Sequence, residues 1–215
     1  VVHAQERQRS TSKRIFDGEL DQASDEVKAT AATAVISHSS WESAVLTLEP
    51  IPFLDTSIFT PIQHRMVRSL ARLRGYRLDD KELEEVLRTV RSRLFRANMT
   101  IAVTKLFEFI PIVPDLLSGA TAYALTTAIG EVTDRYFHCG CAMASAEMKA
   151  SFDAFYKESF EDAYKARRDE FRALFRDPGV RREIRDLNRA RKDGKLGEDE
   201  VAQRSAEVLR RHDAH

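Results

Sequence analysis

The chain has 215 residues, which fits one domain or a domain with an appendage and is enough for a sizeable core. Eight glycines and six prolines argue against the many turns of a sandwich or barrel, and an abundance of Ala, Leu, Arg and Glu favours helix. The formal net charge is zero, so the chain as a whole makes no case for nucleic acid.

Residues 1–20 are expected to form a flexible arm. Val1 to Ser12 is polar, with no apolar core of a signal peptide. From Asp21 to Leu48 apolar residues recur at helical spacing, with a polar patch at Ser37–Ser40 that is expected to weaken the helix. Pro50 and Pro52 then stop it, since each lacks a donor and clashes with the preceding turn. Asp55 is placed to cap a second helix running from about Thr56 to Tyr76, with Pro61 near its first turn or marking a kink there and Gly75 as its stop.

Asp79 or Asp80 starts a third helix whose apolar pattern extends to Ile110. A second corner follows, Ile110-Pro111-Ile112-Val113-Pro114-Asp115. The expected fold is therefore all-α: two αα-hairpins over residues 21–137, each turning at a Pro- and Asp-containing corner. Two further parts complete it: an amphipathic helical extension over 138–176 and a charged C-terminal helical pair over 177–215. In the extension Phe152, Tyr156, Phe160 and Tyr164 recur every four residues, which reads as a packing stripe rather than a cofactor box. Asp177-Pro178 restarts the chain as a helix, and Asp193 to Gly197 turns it into the last one. That tail resembles the short C-terminal helical pairs of bacterial proteins that mediate oligomerisation.

Leu116 to Tyr136 is the most apolar helix. Ser118, Ala122, Thr126 and Gly130 fall every four positions along it, a stripe of small residues that admits another helix closely. Lipid, a second copy or the chain's own hairpin can lie opposite. The apolar run from Phe109 to Gly130 approaches bilayer length, but Pro111, Pro114 and Asp115 prevent one clean span.

Charge is unevenly placed. Asp17 to Glu49 carries seven acids against one lysine, whereas Lys165 to Lys195 carries twelve bases against six acids. Two solvated helix faces are the simplest reading. Attraction between the two ends, or contact of the basic stretch with anionic lipid, are the others.

No motif for chemistry is present. The sequence holds no phosphate-cradling Gly-x4-Gly-Lys loop, no Gly-x-Gly-x-x-Gly, no His-Glu-x-x-His and no Gly-x-Ser-x-Gly. Asp134, His138 and Cys141 are spaced to share a helix face, with Cys139 pointing elsewhere, but an Asp–His pair beside two small packing residues is the better reading. On a helix the two cysteines would point about 200° apart, too far to bridge, which suits reduced thiols and a cytoplasmic home. No catalytic, cofactor-binding or metal-binding residue is expected.

The run from Ile51 through Gln63, continuing through Met66 to Gly75-Tyr76, resembles a bacterial signature, and so does Pro111 to Gly119 continuing through Ala124–Gly130 to Tyr136-Phe137. Together they resemble the YcjF-like, GTPase-associated domains of unknown function over about Thr30 to Phe137. The family's Pro-Gly-Leu-Gly turn is here Pro111-Ile-Val-Pro114, which stiffens the second corner. The resemblance implies membrane association through these hairpins and a GTPase either fused upstream or encoded nearby; since this chain carries no GTPase motif, the partner is expected in trans. With the missing catalytic motifs, the expectation is a non-enzymatic accessory protein at the cytoplasmic face of the inner membrane, on its surface or shallowly inserted, with a GTPase or other NTPase partner. A soluble homo-oligomeric scaffold with its hairpins buried between subunits is the alternative.

Overall fold

The computed structural model describes residues 14–47, 60–95, 114–163 and 168–212. Among the described residues the chain is all-helical: α1 (Asp25–Leu46), α2 (Thr60–Leu73), α3 (Asp80–Phe95), α4 (Pro114–His138), α5 (Ser145–Glu161), α6 (Arg168–Arg176), α7 (Pro178–Lys192) and α8 (Glu198–His212).

Local chemistry sets most helix ends. The Ser24 hydroxyl accepts from the Val27 amide at the start of α1, with Asp25 and Glu26 in the first turn, where the helix dipole favours acids. Asp79 caps α3 in a reciprocal box: its carboxylate accepts from the Glu82 amide and the Glu82 carboxylate accepts from the Asp79 amide. Asp177 accepts from the amides of Gly179 and Val180, and Pro178 occupies the first position of α7. Helices α2 and α4 end in the same motif. Gly75 and Gly140 take left-handed φ of 86° and 66°, which lets the amides of Tyr76 and Cys141 reach back to the carbonyls of Ala71 and Tyr136.

Helix α4 is the axis of the bundle. Helix α1 runs antiparallel to it, bringing Ser40 to Thr127 and Trp41 edge-on to Tyr123. Helix α5 runs antiparallel on another side, joined through Arg135–Glu147 at one end and a Tyr156–Thr121 hydrogen bond at the other. Helix α2 lies parallel to α4, and α3 returns antiparallel to α2 through Arg68–Asp80 and His64–Glu84. The two predicted hairpins therefore interlock around α4. The C-terminal pair is not a free appendage. Val201 and Ala202 of α8 pack with Leu46 and Ile62, so α7 and α8 close the end of the bundle where α1 stops and α2 begins.

Several expectations need revision. Helix α1 runs unbroken through Ser37–Ser40. Ser39, Ser40 and Ser43 each donate their hydroxyl to the carbonyl four residues earlier, which makes them tolerable inside a buried helix. Cys139 and Cys141 do not lie on a helix: α4 stops at His138, and Cys141 follows Gly140 in a left-handed conformation, φ 62°. Of the two candidates for the cap of α3, the structure selects Asp79. The amphipathic extension is described as α5 and α6, with residues 164–167 outside the described residues, as is the continuation of α3 to Ile110. Pro50, Pro52, Asp55 and Pro111 also lie outside them. Pro114 begins α4 and Asp115 follows it in the first turn.

Candidate functional site

The predicted small-residue stripe faces the chain's own α1. A Cβ added at Gly130 would stand 2.8 Å from Ile36 Cγ1 and 3.0 Å from Met66 Sδ, so the helices meet at this glycine. One turn back, Thr126 donates to Ser43 Oγ at 2.9 Å, and Thr127 lies 2.8 Å from Ser40 Oγ. Ala122 is buried along the same stripe. The side chain of Ser118 lies outside the described residues. Each serine has one hydroxyl proton and gives it to its own helix, so Ser40 and Ser43 serve α4 as acceptors. A serine in that state is a poor nucleophile, and the seam reads as a register device.

A charged group borders this seam. Glu42 is only 3% exposed, yet its two oxygens lie 2.7 Å from His38 Nε2 and 2.8 Å from Arg65 Nη2. Arg65 is half exposed and carries the charge out to solvent. This is a neutralised buried carboxylate tying α1 to α2.

At the opposite end of the bundle the twin helix stops of α2 and α4 lie side by side. Tyr76 stacks at a tilt on Phe137 with ring centroids 5.2 Å apart. Its phenol hydrogen-bonds the Cys141 thiol, which with burial holds the phenol above its ordinary pKa. Arg74 grips Asp134 with two nearly parallel bonds, Nε–Oδ1 at 2.8 Å and Nη2–Oδ2 at 2.6 Å. That hydrogen bonding raises the Arg74 pKa further, and the guanidinium stays charged. Asp134 is thus a structural anion rather than a metal ligand. His138 and Cys139 are exposed, and among the described residues no three His, Cys, Asp or Glu side chains are placed to hold a metal ion.

Sequence reasoning missed this clasp and the Glu42 group. The His38–Glu42 spacing of four was a visible signal. The partners Arg65 and Arg74 come from another helix and left no local trace.

The aromatic residues of α5 behave as packing. Phe152, Tyr156 and Phe160 are buried and successive rings stack at 5.9 and 6.2 Å. Burial pushes the Tyr156 phenol up to about 12, with the Thr121 hydrogen bond opposing. Tyr164 lies outside the described residues.

Glu131 of α4 is a half-buried acid. Burial raises its pKa first, and the nearby carboxylates of Asp134 and Glu158 raise it further. Its folded-state pKa lies above the unfolded one, so stability falls as pH rises from the ordinary glutamate range through that raised value, and the loss persists above it. Glu131→Gln is therefore expected to raise the thermal midpoint near pH 7 and to give no gain at about pH 3, where both states hold the proton. Equal gains at both pH values in a calorimetric scan would disprove this origin.

A family model described as domain of unknown function DUF697 matches residues 12–160. No curated protein and no solved structure matches the chain. The matched segment contains α1 through nearly all of α5, with the seam and the clasp inside it, and it leaves α6 to α8 outside. Since that match spans more than half of its length, the chain belongs to the DUF697 family.

Proposed function

We propose that this protein is a non-enzymatic helical accessory module, YcjF-like and bacterial, that works at the cytoplasmic face of a membrane with a GTPase or other NTPase in trans. The carrying observation is the topology of one end of the bundle. Thr47, Thr60, Phe95 and Pro114, the described residues flanking the two apolar proline-containing segments, all lie at the end closed by α7 and α8. The apolar sequences Ile51–Leu54 and Ile110–Val113 lie between these flanking residues in the chain.

Support for a module without its own reaction comes from the interior. The polar groups of the seam and the clasp satisfy one another, which suits positioning of helices and leaves the outer surface for function. Helix α4 is enclosed by α1, α2 and α5, and among the described residues no helix is long and apolar enough to cross a membrane. Association would then be peripheral or shallow. A scaffold whose small-residue stripe packs between subunits has less support, because α1 of the same chain occupies that stripe.

Flotation with vesicles tests the membrane half: the chain is expected to rise with phosphatidylserine-containing vesicles, and a chain wholly in the soluble fraction sinks the idea. Affinity capture from native cells with a GTP analogue or GDP tests the other half. A P-loop NTPase recovered in one nucleotide state is expected, and recovery of none in either state removes the partnership.

A further inference from the structure

We infer that the outer face of α7 is a docking surface for anionic phospholipid headgroups. This rests on the membrane reading above and assigns it to a surface that the family match does not include. Arg182, Arg185, Arg189 and Lys192 are all exposed, and on a helix they fall within an arc of about 80° and along roughly 15 Å. The opposite side of α7 is committed to the core through Val180, Ile184 and Asn188. Both acids of the helix lie off the basic arc, toward α8: Glu183 pairs with Arg211, and Asp186 lines the groove between the two helices. The result is a stripe of one sign on a helix whose apolar face is already used.

Such a stripe suits a flat anionic surface. It cannot insert as an amphipathic helix, because that would require pulling Val180 and Ile184 out of the core. Its place is right, since α7 and α8 close the end of the bundle where α1 and α3 stop and α2 and α4 begin. The other occupants fit less well. A second copy would have to offer acids, and at the far end of the bundle Glu19, Asp21 and Asp80 already pair with Arg14, Arg72 and Arg68. That contact would also be head-to-tail, which builds a ring or an open filament rather than a simple two-fold dimer. A nucleic-acid duplex would meet a chain of zero net charge, whereas a membrane meets only one end of it.

The test is flotation of the full chain with vesicles of phosphatidylcholine alone or with added phosphatidylserine, at low and at about 0.15 M salt. The wild type is expected to bind only the anionic vesicles, and less at the higher salt. The variant R182Q/R185Q/R189Q/K192Q is expected to partition at least about a hundredfold less, each lost charge near the surface weakening binding about fivefold. A matched variant, R77Q/K81Q/R88Q/K157Q, removes four exposed charges elsewhere and is expected to stay within about twofold of wild type. Helical circular dichroism and thermal melting of both variants verify the fold. Equal binding of the wild type to neutral and anionic vesicles, or wild-type binding by the α7 variant, overturns the stripe and leaves the membrane reading standing. A wild type that binds no vesicle overturns both. Binding to duplex DNA, or self-association at low salt, that is lost in the α7 variant while vesicle binding is unchanged assigns the stripe to that occupant and overturns the proposal.

Discussion

Asp134→Ala is expected to lower the unfolding free energy by about 3 kcal/mol or more, among the largest losses from any single polar side chain here. The cost comes from what is left behind. Arg74 is only 8% exposed along its side chain, and Asp134 supplies both acceptors of its fork. Deleting the carboxylate strands a guanidinium that cannot lose its proton and cannot readily reach water. The pair as a whole need not be strongly stabilising, because desolvation offsets much of its attraction. The double variant Arg74→Met, Asp134→Leu is therefore expected to recover most of the single variant's loss. Urea denaturation of the three proteins checks this. A single-variant loss below about 1 kcal/mol would show that the clasp is dispensable, and a double variant as weak as the single would show that the charge pair itself is needed.

The same clasp shows which features could be read from the sequence. Helix ends are local chemistry, and Gly75, Asp177-Pro178 and Asp193-Gly194 announce them within a few residues. Apolar periodicity identifies helix faces in the same local way, which is why the all-α architecture was legible. Pairing between helices is not local. Arg74 and Asp134 are sixty residues apart, and no pattern around either one names the other. Ser37–Ser40 was misjudged for a related reason. Propensity treats serine as a weak helix former, whereas burial against the threonines of α4 turns these hydroxyls into a specific seam. The two cysteines fall outside a helix because α4 ends at His138 and Gly140 turns the chain between them. A metal reading of Asp134 and Cys141, the weaker one from the sequence, would need both side chains unengaged, and each is held by a residue of the α2 terminus, Arg74 and Tyr76.

Gly130→Leu is expected to cost about 3 kcal/mol, at the upper end of overpacking losses, and Gly130→Ala about 1 kcal/mol. Two effects oppose each other in the alanine variant. Alanine gains up to about 1 kcal/mol of helix propensity over glycine. Its Cβ, however, meets Ile36 at 2.8 Å from Cγ1 and 3.0 Å from Cγ2, a branched side chain held in the core at 2% exposure. Met66 can swing its thioether aside more cheaply than Ile36 can move. The clash with Ile36 therefore decides the sign. It follows that trimming Ile36 should change the outcome. In an Ile36→Ala background, which by itself costs about 2–5 kcal/mol, the further change Gly130→Ala is expected to be neutral or stabilising, because the added methyl fills space that the isoleucine has vacated. A double-mutant cycle by urea denaturation measures the coupling, expected at about 1–2 kcal/mol in favour of the pair. Independent, additive effects would mean that α1 and α4 do not meet at this glycine, and the stripe of small residues would then need another explanation.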